Sequence, residues 1–569
     1  MKLFHPSSVL TVALVLVLAG QAILAYQFDR AARQASPRGE QAGFPLDDAW
    51  IHQVYARSLG QSLRLEFNPG QAEVGESSLL WTAALVPAER LARLLDIPVA
   101  RATRALGALV WMALALSAAL LVLSLPVPGA RFGAFTAALL VALDPALAFA
   151  AVSGMEPLLL ALCVMVALLA LARGRFQLAG IACGFAVLAR PEGILLAAMI
   201  VAAVPFLRPV RPSGRAMLQC ALPTLVGAAV WVTVCLSIAG RTFPNTYYAK
   251  ARLVPPGEAI REGAALLLGC FERSPFYDGY AGYLFLAIGL IALASRVGGS
   301  LVTLLPLLPA VFLFGIAATR GMADPDAFYW QRYVIPALPL LHLLPAIGLA
   351  GAGAVLADLL QKGRPKPPAV EPEPSPDEAD GPSRNLVAEA EAEPLRLKET
   401  PAEPALIPDL VLVVALSVLV LIPFGSAPGR LAKSVAEYAE NVADVDRLNV
   451  ESALWIADNP RILPQFPIAT QDAGAVRYFT QGDRVIDLLG LNDHQLMTEG
   501  LSSGDVGAYI AGLEPRVMVL LDPDPGALPF WLFAASAGMR EVARFGTEEY
   551  SLFSQKLPRS MVILADLPP

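Results

Sequence analysis

Charge is what this chain has least of. Asp, Glu, Lys and Arg make up 16% of its 569 residues, where an ordinary soluble domain carries roughly 25%. With 56% of residues hydrophobic and a mean hydropathy of +0.56, the composition belongs in a bilayer. Cysteine is scarce as well. Cys163, Cys183, Cys220, Cys235 and Cys270 all lie in or beside apolar segments without CxxC or metal-ligand spacing, and read as packing residues. His342 and His494 stand alone, again without ligand spacing. The net charge of −7 comes largely from a tract around Glu371 to Glu403 and from the C-terminal region. Nothing in it argues for nucleic-acid binding.

What is present is a succession of apolar runs near the ~20 residues that span a hydrocarbon core. They predict about eleven membrane helices, at 8–26, 105–125, 132–150, 155–172, 176–189, 191–207, 216–238, 280–295, 299–318, 333–357 and 409–425. The first run follows Lys2 and ends in Ala22-Ile23-Leu24-Ala25, which also suits a cleaved signal peptide. Its length and the spans that follow favour a retained helix. Residues 78–95 are apolar too, but Glu89, Arg90 and Arg93 at helical spacing suit an interfacial helix within an external loop, 27–104. Counting Lys and Arg supports that choice. With 78–95 excluded and the N-terminus inside, Arg131, Arg173, Arg175, Arg208, Arg211, Arg215, Arg296, Lys362, Arg364 and Lys366 all fall in cytoplasmic loops.

The expected organisation is therefore a transmembrane domain over 1–360, a disordered Pro/Glu-rich cytoplasmic linker over 361–408, a last span at 409–425 and an extracytoplasmic α/β domain over 426–569. Short β-like runs such as Val485-Ile486-Asp487-Leu488 and Val517-Met518-Val519-Leu520-Leu521 carry the last assignment.

In this topology the ionisable clusters gather on one side of the membrane. Asp47-Asp48 stand just outside the first span, followed by Trp50, His52 one turn after Asp48, and Trp81. Such a pair offers a general base, and the aromatics offer a surface for a sugar. A capping Asp47 and a solvated first-turn Asp48 are the structural alternative. Ser153-Gly154-Met155-Glu156, Arg190-Pro191-Glu192-Gly193 and Tyr329 to Tyr333, with Arg332, face the same side. A structural network among Glu156, Glu192, Arg190 and Arg332 is the competing reading. The loop containing Asn245, Tyr247, Tyr248 and Lys250 joins a cation, hydroxyls and an amide, which suits either a phosphate or anchoring at the lipid interface. Asp472 to Phe479 and Asp487 to Asp493 read as strand-to-turn junctions with structural roles.

The run Asp47 to Trp81, including Phe67-Asn68-Pro69-Gly70, together with Ser153 to Glu156, Arg190 to Gly193, Pro244 to Lys250 and Arg332-Tyr333, resembles the GT-C superfamily of membrane glycosyltransferases. Within it, the sequence is most similar to the mycobacterial terminal arabinofuranosyltransferase group. That resemblance implies a bacterial inner-membrane enzyme that moves a sugar from a polyprenyl-phosphate donor to a hydroxyl of a cell-envelope glycan or lipid. It implies an extracytoplasmic site, inversion at the anomeric carbon and no nucleotide sugar. Asp47 or Asp48 is then the catalytic base, with Asp47 preferred, and His52, Trp81, Glu156, Arg190, Glu192, Asn245, Tyr247, Tyr248, Lys250 and Arg332 bind substrate. His52-Gln53 after the Asp pair and Glu76-Ser77-Ser78 depart from the pattern. The donor sugar stays open among arabinofuranose, mannose and other hexoses, and so does a divalent metal, for which two acids and His52 are candidate ligands. The alternative class is a transporter or flippase of a lipid-linked glycan, whose internal repeats have no counterpart here.

Overall fold

A computed structural model describes the chain except residues 1–5, 128, 208–212, 252, 275, 277–282, 285, 291–299, 321–327, 363–424, 460–466, 481–483, 498–505, 553–555 and 567–569. Its first part is a helical bundle. Helices α1 (Pro6–Ala35), α2 (Asp48–Ser62), α3 (Leu79–Leu95) and α4 (Val99–Leu123) come first, followed by α5 (Ala130–Leu143), α6 (Pro145–Val152), α7 (Pro157–Ala172), α8 (Phe176–Ala189) and α9 (Gly193–Ala203). Then come α10 (Gly214–Ala239), the short α11 (Asn245–Lys250), α12 (Pro256–Arg273), α13 (Ser300–Arg320) and α14 (Leu338–Lys362).

Among the described residues, four helices are long and apolar enough to cross a membrane, at Val9–Ala35, Val99–Leu123, Gly214–Ala239 and Ile335–Ala352, and α5 with α6 forms one further, bent candidate. The described residues do not confirm the expected number of about eleven spans. Pro157–Ala172, Phe176–Ala189 and Gly193–Phe206 are apolar helices of 10–17 residues, short of the ~20 that reach across a hydrocarbon core, whereas α13, also apolar, is 21 residues long. The span expected at 280–295 lies mostly outside the described residues, as do nearly all of the linker 361–408 and the span at 409–425.

The breaks have local causes. Asp144 precedes Pro145, and a residue before proline is pushed out of the α region. Asp144 takes φ −75°, ψ 118° and accepts from the N–H groups of Ala146 and Leu147, so α6 restarts with Pro145 in its first turn after a 61° bend. Its other oxygen meets His342 Nε2 at 2.9 Å. Arg190, before Pro191, is likewise extended and separates α8 from α9. Two helix ends run further than the hydropathy expects. Helix α1 continues to Ala35 and α4 starts at Val99, because Asp29 accepts from Arg104 Nη1 at 2.8 Å while Arg104 Nε donates to Tyr438 at 2.9 Å. A paired buried charge is tolerated where a lone one is not.

Further along the chain, α15 (Ala427–Val445) packs along α1 and α6, and Tyr438 donates to the Val152 carbonyl at 2.8 Å. A π-turn (Asp446–Val450) joins it to α16 (Glu451–Ala457). The strands β1 (Glu66–Asn68) and β2 (Gln71–Ala72) form a hairpin in the loop between α2 and α3. The remaining strands, β3 (Ile468–Thr470), β4 (Val485–Asp487), β5 (Val517–Asp522), β6 (Arg540–Tyr550) and β7 (Leu557–Ala565), form one sheet ordered β4-β3-β5-β7-β6. β4, β3 and β5 are parallel, and the β6–β7 hairpin adds antiparallel to β5. Helices α17 (Ala473–Phe479), α18 (Val506–Gly512) and α19 (Leu528–Ser536) complete this α/β domain. The molecule is an α-helical polytopic membrane protein with a C-terminal α/β domain.

Candidate active site

Chain direction alternates through the bundle, so the start of α2, the entry to α7, the α8–α9 break, α11, the end of α13 and the entry to α14 all meet at one end. There Asp48, His52, Glu76, Glu156, Arg190, Lys250, Arg320, Arg332 and Tyr333 line a small cavity of about 30 Å³. Asp48 sits between two cations, with Lys250 Nζ at 3.0 Å and Arg332 Nη1 at 2.7 Å from its Oδ2. Burial alone would raise its pKa, but Lys250 and Arg332 outweigh that and hold the carboxyl well below its usual range. It is ionised at neutral pH. Lys250 is shifted up in turn, because Asp48 more than offsets its desolvation.

A second chain of charges runs alongside. Glu156 accepts from Arg190 and from the Ser77 hydroxyl at 3.0 Å, and its other oxygen lies 3.0 Å from His52 Nε2. Glu192 receives Arg190 Nε at 3.3 Å and Arg320 Nη2 at 2.6 Å. The guanidinium groups of Arg190, Arg320 and Arg332 lie 5.1, 5.1 and 5.3 Å from the Tyr333 ring centre. Among the described residues, Nε and Nη1 of Arg320 and Nε of Arg332 are buried donors with no acceptor. Such donors are costly unless something supplies oxygen atoms. Among the described residues, four cations (Arg190, Lys250, Arg320, Arg332) face three carboxylates (Asp48, Glu156, Glu192), which leaves one positive charge.

Glu76 does not add a fourth negative charge. It is 1% exposed, neither carboxyl oxygen has a hydrogen-bond partner among the described residues, and burial pushes its pKa up to about 8. It is therefore mostly protonated at pH 7 and presents an O–H to the cavity.

Asp47, the expected base, is oriented elsewhere. Its carboxylate accepts from the backbone N–H groups of Gly474 at 2.7 Å and Ala475 at 2.8 Å, so it caps the first turn of α17 in the C-terminal domain. Burial, and then the nearby Asp472, shift its pKa well up. A side chain at position 474 would meet the Asp47 backbone and carboxylate, which accounts for glycine there.

Of the sequence-predicted residues, Asp48, His52, Glu156, Arg190, Lys250 and Arg332 line the cavity, and Glu192 stands behind it holding two arginines. Trp81 is fully buried and donates Nε1–H to the Gly154 carbonyl at 2.9 Å, fixing the 153–156 turn. Asn245 is buried against Glu73, and Tyr247 and Tyr248 pack beside Arg320 and Arg241. The trio Asp47, Asp48 and His52 does not converge. Among the described residues no group of three His, Cys, Asp or Glu side chains is placed to hold a metal ion. Arg320 and Glu76 were not expected. A lone basic residue ending an apolar run reads as an interfacial anchor, and nothing local marks Glu76 as desolvated.

The C-terminal domain braces this site. Tyr55 Oη donates to Asn492 at 3.0 Å and accepts from Gly75 N–H at 3.0 Å, and His494 Nδ1 lies 2.7 Å from Glu73. Asp487 accepts from Leu489 N, Asn492 N and Asn492 Nδ2, the turn-forming part expected of it. Leu491 reaches the cavity itself.

A family model described as "Domain of unknown function (DUF8728)" matches residues 436–556. No curated protein matches the chain. Among solved structures, ArnT from Cupriavidus metallidurans bound to undecaprenyl phosphate superposes with a TM-score of 0.54 at 13% identity, covering 97% of each chain. The archaeal oligosaccharyltransferase AglB from Archaeoglobus fulgidus, in complex with an inhibitory peptide and a dolichol-phosphate, gives 0.53 at 11% identity over 91% of this chain and 71% of that one. The arabinofuranosyltransferase AftD from Mycobacteria gives 0.49 at 18% identity over 98% and 40%. These neighbours are GT-C glycosyltransferases, and the likeness is one of fold.

Proposed function

We propose that the chain is a glycosyltransferase that moves a sugar from a polyprenyl-phosphate donor to a hydroxyl of a cell-envelope glycan or lipid, with inversion and with Asp48 as the base. The observation that carries this reading is an ionised Asp48 held by Lys250 and Arg332 inside a cavity whose described residues carry one surplus positive charge and three unspent arginine donors. A phosphodiester brings one negative charge and the acceptor oxygens those donors lack. As it takes over Lys250 and Arg332, Asp48 loses its counter-ions and gains basicity. It then accepts the proton of the attacking hydroxyl, the oxygen bonds to the anomeric carbon, and the C–O bond to phosphate breaks. The leaving phosphate gains a second charge, which the four cations stabilise. Glu76, in its neutral form, donates to the donor without repelling it. The undecaprenyl phosphate and dolichol-phosphate of the structural neighbours support this class of donor.

The reading places the chain in a bacterial inner membrane, with cavity and α/β domain on the extracytoplasmic side. Arg131, Arg173, Arg175 and Arg215 stand at the far end of the bundle, the distribution expected of cytoplasmic loops. The test is incubation of purified protein with labelled polyprenyl-phosphate sugars and envelope glycolipid extract. Label in the extract, with inverted anomeric configuration by NMR, supports the proposal. Label that stays on the lipid with every donor rejects it.

A further inference from the structure

Helix α2 separates the cation-lined cavity from a second, larger cleft of about 410 Å³ that the transfer reaction leaves unused. That volume lies within the roughly 300–1,000 Å³ of small-molecule sites, which favour domain boundaries. The cleft is such a boundary, formed by α2, the 38–41 turn and α3 on one side and by the end of α17 on the other. The two sites use opposite faces of one helix. At roughly 100° per residue, Asp48, Ile51 and His52 fall on one face of α2, while Trp50, Arg57 and Gln61 fall within about 40° of each other on the other.

The chemistry of the cleft wall indicates its ligand. Arg57 stacks 3.7 Å over Tyr478 and is held there by Glu89 at 3.3 Å and the Tyr478 carbonyl at 3.0 Å. Arg38 lies 5.1 Å over Phe479. Among the described residues its guanidinium makes no hydrogen bond, and the carboxylate beside it, Asp446 at 3.9 Å, is already bonded by Ser36 and the Gly43 N–H. The wall therefore presents flat guanidinium edges held in place by aromatic rings, with the exposed amides of Gln41 and Gln61 at the rim. Planar N–H and C=O edges of this kind grip neighbouring hydroxyls in pairs at little entropic cost. A phosphate is served less well, because Glu89 and Asp96 line the same cleft and Arg57 and Arg93 are both engaged with Glu89. An acyl chain would have to share the cleft with Arg38, Arg57, Glu89, Arg93 and Asp96, whose charges it would desolvate, whereas the apolar stretch Ile97 to Ala100 suits the C–H faces of sugar rings.

We propose that this cleft is an accessory glycan site that holds a hydroxyl-rich oligosaccharide, a distal part of the acceptor chain, on the face of α2 opposite the reacting centre. The proposal rests on the reading that the acceptor is a glycan, and the test separates the two. Binding of mannohexaose and of an arabinofuranosyl hexasaccharide to the full-length protein is measured by calorimetry for wild type, Arg38→Gln and Gln41→Ala/Gln61→Ala. Transfer is measured in parallel to a long and to a single-sugar acceptor. One oligosaccharide is expected to bind the wild type, with affinity falling about tenfold in each variant, the loss of one or two hydrogen bonds. The KM for the long acceptor should rise by a similar factor while transfer to the short one is unchanged. Variant-sensitive binding without transfer from any donor would uphold the cleft and reject the glycosyltransferase. Transfer that proceeds while neither oligosaccharide binds, or while binding ignores all three positions, overturns the cleft alone. Competition by inorganic phosphate also overturns it, by showing an anion site.

Discussion

Asp47 and Asp48 are adjacent carboxylates with opposite surroundings, and this difference decides their roles. Asp48 faces two cations in the cavity, whereas Asp47 faces two backbone N–H groups of another domain. Asp48→Asn should lower kcat roughly 10²–10⁴-fold, the usual contribution of a general base, with donor binding retained. Lys250→Met removes one of the charges that keeps Asp48 acidic, so its pKa rises and the acid limb of kcat/KM moves to higher pH. A limb that stays in place would dissociate Asp48 from that limb. Glu76 titrates in the opposite sense. Below about 8 it is neutral, and above it a negative charge appears opposite the donor phosphate. The KM for donor should therefore rise through pH 8 in wild type and stay flat in Glu76→Gln.

At the scale of elements, the bends that shorten the helices also place the site. The Arg190–Pro191 break sets Arg190 between Glu156 and Glu192, and the Asp144–Pro145 break turns α6 toward the 153–156 turn that carries Glu156. Asp144→Ala removes the cap of α6 and strands His342, a loss of roughly 2–4 kcal/mol when the two effects are taken together. Thermal unfolding in detergent would register it, and an unchanged midpoint would refute the role of the cap. Part of this level was legible in the sequence, because Arg190-Pro191 interrupts an apolar run, whereas the Asp144–Pro145 break lies inside what hydropathy reads as a single span over 132–150. Trp81 and Asn245 show where such reading fails. A buried indole or amide that bonds a backbone carbonyl or a distant carboxylate looks, in sequence, the same as one that waits for a ligand.

For the whole molecule, the α/β domain acts as a clamp on the loop that carries the site. Residues more than 400 positions apart meet in Asp47 with Gly474, Tyr55 with Asn492 and Glu73 with His494, contacts with no local signal in either segment. Asn492→Ala leaves Tyr55 without its acceptor. Although its side chain stays out of the cavity, transfer should fall about tenfold, the equivalent of one buried hydrogen bond. Wild-type kinetics in that variant would mean that the domain is a passenger.

In the proposed transfer from a polyprenyl phosphate, Asp48 rather than Asp47 takes up the proton of the attacking hydroxyl. Single-turnover transfer by wild type, Asp48→Asn and Asp47→Asn, with the donor that the wild type uses, tests it most directly. Product is expected from wild type and from Asp47→Asn, and almost none from Asp48→Asn. Full activity in Asp48→Asn with loss in a folded Asp47→Asn would contradict it.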